Sequence, residues 1–181
     1  LNQAFLQFLS TYLKKCPSAL LDLGCGPGDY VHALSQAGHH VVGIDNSAQM
    51  IYWAKQHNKG TFFHLSFSEI GNLKERFDCI YCIGNSLSYL PYTATHKFLQ
   101  DVFNLLNYAG VFLLQLVNWD KYRLSGSMDF PIQYLADGRG FQRAYEPLPD
   151  SSVLFKTSIQ KDGQILQAWS DQLFPRYADS F

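Results

Sequence analysis

Short apolar runs alternate with amphipathic stretches along most of the 181-residue chain. Residues 19–23, 40–44, 61–65, 77–83 and 111–117 read as strands, because each is a brief apolar, β-prone run bounded by turn-forming residues. The run 77–83 is apolar almost throughout, which predicts an interior strand. Helical periodicity fills the gaps. Residues 1–14 place Phe5, Phe8, Leu9, Tyr12 and Leu13 on one face, with Lys14 and Lys15 at the C-terminal end and Pro17 as a stop. A second helix covers 29–36 and closes at Gly38. Ser47 caps a third, which carries Met50, Ile51 and Ala54. Pro91 and Thr93 open a fourth, with Phe98, Leu99, Val102, Phe103 and Leu106 on one face, and Gly110 ends the turn behind it.

This alternation predicts an α/β fold, a parallel sheet with helices on both faces. Ligands of such sheets bind beyond the carboxyl ends of the strands. The loop Gly24-Cys25-Gly26-Pro27-Gly28, then Asp45, Ser66, Gly84-Asn85-Ser86 and Asn118, all fall at such ends. Beyond Trp119 the period changes to two. Residues 141–146 read as a strand, as do Val153, Phe155, Thr157 and Ile159, then Ile165, Gln167 and Trp169. Lys161-Asp162-Gly163 between the last two is a tight-hairpin signal. The expected organisation is a sheet domain over 1–118 and an antiparallel β cap over 119–181. A lone hairpin is marginal in water, so the cap should pack on the ligand-facing end of the sheet or on a partner.

Composition narrows the function. The formal net charge is -1, which gives no bulk attraction to a polyanion; neither nucleic acid nor a membrane surface is expected as a partner. No run approaches the ~20 apolar residues of a membrane span, and no signal-peptide pattern opens the chain. A reduced, cytoplasmic enzyme is the expectation. Cys79 and Cys82 are formally CxxC, but residues three apart on a strand face opposite sides, so their thiols should not meet. His39 and His40 are adjacent, while His57 and His64 are isolated; no metal-ligand spacing results, and no metal is expected.

The glycine loop demands a ligand close to the backbone. A dinucleotide fingerprint is GxGxxG, and here the sixth position is Asp29. An anion in the first helical turn disfavours a pyrophosphate there. No Gly-Lys-Ser/Thr follows, so a nucleotide P-loop is excluded. Asp45, at the end of the second strand, can accept from both hydroxyls of a ribose. A nucleoside without phosphates fits, and S-adenosylmethionine is the common one.

Those residues carry a family resemblance. Leu21-Asp22-Leu23-Gly24-Cys25-Gly26-Pro27-Gly28 resembles the first motif of the class I S-adenosylmethionine-dependent methyltransferases. Residues 42–51, Val-Gly-Ile-Asp-Asn-Ser-Ala-Gln-Met-Ile, resemble the second. Phe77-Asp78-Cys79-Ile80 through Gly84-Asn85-Ser86-Leu87 resembles the fourth strand and its loop. The segment from Leu114 to Asp120, with the β-rich stretch after it, is similar to a bacterial small-molecule subgroup with an antiparallel cap after strand five. The resemblance implies a Rossmann-like sheet. It also implies S-adenosylmethionine contacts from Asp22, Gly24, Cys25, Gly26, Asp45, Asn46, Met50, Ser66, Phe67 and Gly84. Acceptor contacts are expected from Asn85, Ser86, Tyr89, Asn118, Tyr122 and Arg143, with Tyr134 a further cap candidate.

Two departures stand out. The family's acid after strand three is replaced by Ser66, a weaker, uncharged partner for the adenine amine. After Trp169 too few residues remain for the family's final helix and β-hairpin, so those elements are expected to be absent, in a chain cut at both ends or in a compact variant. A cut chain would leave the fifth strand as an exposed edge, an opening for a homodimer. Methyl transfer from a sulfonium is an in-line displacement that needs alignment more than acid–base groups, and no catalytic base is singled out. Asn85-Ser86 lacks the Asn/Asp-Pro-Pro-Tyr/Phe pattern of nucleic-acid and protein-glutamine methylation, which favours a small acceptor. The alternatives are a non-catalytic binding protein on the same fold and an NAD-binding enzyme.

Overall fold

The computed structural model describes residues 2–13, 16–122 and 126–177. The chain divides into two units, Leu1–Leu87 with Thr93–Gln115, and Ser88–Tyr92 with Leu116–Phe181. The division thus falls after Gln115, and the short segment 88–92 joins the second unit.

In the first unit, strands β1 (Ala19–Leu23), β2 (His40–Asp45), β3 (Thr61–His64), β4 (Phe77–Cys82) and β5 (Leu106–Leu114) form one parallel sheet in the order β3-β2-β1-β4-β5. Register and alternation decide its two faces. Leu20, Val41 and Cys79 share one face, and Asp22, Gly43 and Tyr81 continue it toward the carboxyl ends. Helices α1 (Gln3–Ser10), α2 (Asp29–Gln36) and α3 (Ala48–His57) cover that face. Leu9, Val31, Leu34, Ile51 and Ala54 are buried there against Leu20, Val41 and Cys79. The opposite face carries Ile80 and its partner Phe112, and Phe98 of helix α4 (Thr95–Leu105) meets Phe112 with ring centroids 6.3 Å apart. Helices therefore lie on both faces. Cys79 and Cys82 are buried, free and on opposite faces, as strand geometry requires.

Several expected details differ. On α1 the core side is Phe5, Leu6 and Leu9, with Leu13 packing beyond the helix end, while Phe8 on the helix and Tyr12 just past it are exposed and pair edge-to-face with each other. The Lys14-Lys15 pair lies outside the described residues. On α4 the buried positions are Phe98, Val102 and Leu105; Leu99 and Phe103 face outward, the latter 76% exposed. An i, i+4, i+7 stripe is narrower than the apolar set the sequence offers. Strand β5 starts at Leu106, which pairs with Phe77, and ends at Leu114. Its register then jumps to Val111 opposite Cys79, so residues 107–110 form an excursion, with Ala109 in the left-handed region. Asp78 holds this edge together by accepting from Asn107 Nδ2 and Ala19 N at 2.9 Å each.

The second unit is an antiparallel sheet. Strands β6 (Met128–Asp129), β7 (Gln133–Tyr134), β8 (Gly140–Pro147), β9 (Val153–Lys161) and β10 (Gln164–Leu173) run in the order β10-β9-β8-β6, with β7 also on β8. Asp162 and Gly163 both have positive φ, the type I′ hairpin that Asp-Gly favours. One face buries Tyr145, Val153 and Leu173 against Trp119. The alternation expected in β10 breaks at a bulge between Ile165 and Gln167. Ile165 pairs with Gln160 while Trp169 pairs with Thr157, so the two fall on opposite faces. Residues 88–92 are tied in by backbone. Phe174 N donates to Ser88 O at 2.6 Å, and the buried Arg176 guanidinium donates to Leu90 O at 2.7 Å and stacks over Tyr92. Among the described residues no helix is long and apolar enough to cross a membrane.

Candidate functional site

At the carboxyl end of the parallel sheet, the glycine loop and the loop after β4 enclose a cavity of about 540 Å³, a size typical of small-ligand pockets. Of the expected residues, Asp22, Gly24, Cys25, Gly26, Gly84 and Ser86 line it. So do Asn2 and Phe5 of the N-terminal segment, Pro27, Tyr30 of α2, Ile83, and Gln115 just past β5. Asn2 caps α1 and its own N–H donates to the Tyr30 hydroxyl at 3.0 Å, which fixes this wall. Sequence reading missed these six. Gln115 had a signal, since it follows a strand at the ligand end of the sheet. Pro27 lies within the glycine loop and Ile83 just past β4, while Asn2, Phe5 and Tyr30 are brought in by helix packing.

The loop is held from behind. Gly24 N and Cys25 N both donate to Ile44 O at 2.9 Å, Gly26 N donates to Asp45 Oδ2 at 2.8 Å, and Gly28 N donates to Cys25 O at 3.0 Å. Pro27 has no N–H. Every amide from 24 to 28 is thus either absent or already satisfied. Asp45 Oδ1 accepts from Ser47 N at 2.8 Å. An ionised carboxylate has about four acceptor positions, so this one keeps capacity for two further donors.

The glycines divide the work. Gly28, at φ 87°, starts α2, and a Cβ there would lie 2.5 Å from the buried Phe62 ring and 3.1 Å from Ala54 Cβ. It is a packing glycine. Gly26, at φ 53°, lines the cavity, and a Cβ there meets nothing within 4 Å. Gly28→Ala should therefore cost about 3 kcal/mol of stability through overpacking and a left-handed alanine. Gly26→Ala should cost about 1 kcal/mol, but its methyl intrudes on the ligand space. Urea denaturation together with ligand titration separates the two; equal stability losses would contradict this division.

Asp22 dominates the electrostatics. It is 1% exposed, lines the cavity, and neither carboxylate oxygen has a hydrogen-bond partner of good geometry. Burial raises its pKa to about 8, with Asp45 adding to the rise and the Tyr81 hydroxyl opposing it. Burial also raises the Cys25 thiol well above its ordinary value, so it is a neutral wall and not a nucleophile. No Lys, Arg or His is among the described lining residues.

The remaining expected residues sit elsewhere. Asn46 and Met50 are exposed at the start of α3, and Asn46 O is held by His64 Nε2 at 3.1 Å. The Ser66 hydroxyl donates to Glu69 Oε2 at 2.5 Å, and Glu69 in turn accepts from Ser66 N at 2.9 Å. This capping box opens the 3-10 turn Phe67–Asn72. It returns an acid to the end of β3 one turn later than the motif would have it. The Phe67 ring lies 3.7 Å from the point where a Gly24 Cβ would be. Asn85 has φ 67°, and its N–H donates to Gln115 O at 3.3 Å. Tyr89, Asn118, Tyr122 and Arg143 belong to the second unit. Within it, Asn118 Oδ1 caps the turn Trp119–Tyr122, Tyr122 packs on the Trp119 core, and Arg143 stacks on Phe130 at 5.2 Å. Tyr134 is largely exposed.

Comparison with known proteins agrees with this architecture. A methyltransferase-domain family matches residues 20–110. Glycine/sarcosine N-methyltransferase of Halorhodospira halochloris is 28% identical over 156 residues, which are 82% of this chain and 58% of that protein. The chain thus spans little more than half of that relative. An S-adenosylmethionine-dependent methyltransferase from Clostridium acetobutylicum superposes with a TM-score of 0.76 at 21% identity, over 98% of this chain and 74% of that one. The CcbJ methyltransferase from Streptomyces caelestis gives 0.82 at 19% identity, over 96% and 72%. The family match covers half of the chain and the fold agrees throughout, so this chain belongs to the methyltransferase-domain family, with the Rossmann-like fold of the class I S-adenosylmethionine-dependent enzymes.

Proposed function

We propose that the chain binds S-adenosylmethionine and directs its methyl group to a small-molecule acceptor. The observation that carries the cofactor reading is the glycine loop itself. A phosphate cradle needs free amides aimed at the ligand, and here they are consumed by Ile44, Asp45 and Cys25. What the cavity offers is a buried, unpartnered carboxylate and no cation. That donor set suits a ligand bearing an ammonium and a neutral ribose, and it repels a pyrophosphate.

On this reading Asp22 pairs with the α-ammonium, and the Gly24–Gly26 backbone lies along the methionine portion. Asp45 accepts from the ribose hydroxyls through its unused lone pairs. Asn46 and Met50 flank ribose and adenine, Ser66 and Phe67 approach the adenine edge, and Gly84 lies under the methionine end. The bound sulfonium supplies an already activated methyl group. The chain's contribution is alignment and exclusion of water. Asn85, Ser86, Tyr89, Asn118, Tyr122 and Arg143 are the proposed acceptor contacts. A small acceptor is supported by the near-neutral charge and by the similarity to a protein named for glycine and sarcosine.

The test is a titration of the purified chain with S-adenosylhomocysteine, with NAD as control, followed by calorimetry and thermal unfolding. At about 100 times its dissociation constant the ligand should stabilise the chain by ~2.7 kcal/mol. Stabilisation by NAD instead would overturn the reading.

A further inference from the structure

Asp22 is not alone beneath the cavity. In the parallel register Asp22 on β1 stands directly beside Tyr81 on β4, so the two side chains leave the same face of the sheet. Tyr81 is fully buried, and its hydroxyl, like both Asp22 oxygens, makes no hydrogen bond among the described residues. Its ring is wedged against Phe5, with centroids 5.7 Å apart, and Phe5 lines the cavity. A phenol buried in an apolar core normally finds a partner for its hydroxyl. The acid beside it in the register is Asp22, which lines the cavity.

We infer that Tyr81 is a positioning residue for ligand capture: its hydroxyl stands where it can donate to the Asp22 carboxylate and so favours the anionic form that receives an ammonium group. This rests on the S-adenosylmethionine reading and adds to it a residue that touches no ligand. The chemistry is one of competing donors. A proton on Asp22 and an incoming ammonium want the same oxygens. A neutral phenol stabilises the anion without occupying both of them. The other titratable groups near this pair are Cys25 on the glycine loop, Asp45 at the end of β2, Cys79 on the same face of β4, Cys82 on its opposite face, and Tyr30 on α2. None is cationic. Burial and Asp45 both push Asp22 toward its neutral form, and only Tyr81 works against them.

The prediction concerns pH. Below the point where Asp22 ionises, an ammonium ligand must displace a proton, so affinity should rise with pH by up to about tenfold per unit. Tyr81→Phe removes one hydroxyl and keeps the ring. It should move that rise to higher pH, leaving S-adenosylhomocysteine bound about tenfold more weakly near pH 7 and recovering toward pH 9. The probe is calorimetric titration of the full chain from pH 6 to 9. A parallel series uses 5′-methylthioadenosine, the same nucleoside without the amino-acid end. Its affinity should be indifferent to both pH and the substitution. In Asp22→Asn the pH dependence should vanish, and adding Tyr81→Phe should then change nothing further.

An unshifted profile in Tyr81→Phe overturns the inference while leaving the cofactor reading intact. So does an equal loss for both ligands at every pH, which is the mark of a merely structural role. If the unsubstituted chain binds neither nucleoside, the cofactor reading fails, and this inference fails with it.

Discussion

Asp45→Ala should abolish tight binding of S-adenosylhomocysteine. A ribose presents two hydroxyls, and hydrogen bonds to a charged acceptor contribute ~1.5–3 kcal/mol each. Losing both weakens binding by roughly a hundredfold or more. The structure adds a second loss. Asp45 is also the acceptor for Gly26 N and Ser47 N at 2.8 Å, so the alanine variant frees the glycine loop from the β2 turn. Two backbone donors left without their acceptor should lower stability by about 2 kcal/mol. Asp45→Asn retains an acceptor for one of them and should recover part of the stability but little of the affinity. Calorimetric titration beside urea unfolding reads both quantities. Binding within a few-fold of the unsubstituted chain would remove Asp45 from the site.

Asp22→Asn should move the two quantities apart, making the ligand-free chain more stable and its binding weaker. Burial raises the Asp22 pKa to about 8 in the fold, against an ordinary value of 3.8. The folded state therefore holds this proton more tightly than the unfolded state. Its contribution to stability is complete below about pH 4, falls by about 1.4 kcal/mol per pH unit as pH rises toward 8, and levels off above. A neutral asparagine has no such slope. The two proteins should unfold alike near pH 4 and diverge steadily above it, with the variant ahead by several kcal/mol at pH 8.5. Saturating S-adenosylhomocysteine should close the gap, because its ammonium gives the carboxylate a cationic partner, which the described cavity lining does not supply. Parallel denaturation curves at every pH would show that Asp22 is not the strained group. Carrying a buried acid with no cationic partner in the cavity is a stability loss of the kind that binding sites retain for function.

The legible parts of this protein were those written locally. Apolar runs marked β1, β2 and β4 because strands buried on both faces have nothing polar to show. Ser47 announced a helix start, and its side chain does accept from Met50 N. Asp162-Gly163 announced a hairpin and folds as one. The bulge in β10 was not legible, since alternation reads the same with or without one extra residue. Phe103 and Met50 were expected in contact with other groups and are exposed. An apolar residue has no way of signalling which side of its helix will find a partner.

The site divides along the same line. Glycines spaced behind a strand, and an acid at the end of the next, are the features on which the proposed ligand rests. A loop that close to the strand excludes bulk, and the acids lie at the ends where such sheets bind. These are properties of a few consecutive residues, so one dimension suffices to state them. Pairing across the sheet needs the third. Tyr81 is 59 positions from Asp22, and only the register of β1 with β4 sets them side by side. Tyr30, Phe5 and Gln115 line the cavity because α1, α2 and β5 converge there. The sequence by itself determined where the glycine loop and the strand-end acid stand, through short-range backbone chemistry. The protonation of Asp22 was decided by the tertiary structure alone, because burial and neighbouring charge exist only once the strands have paired.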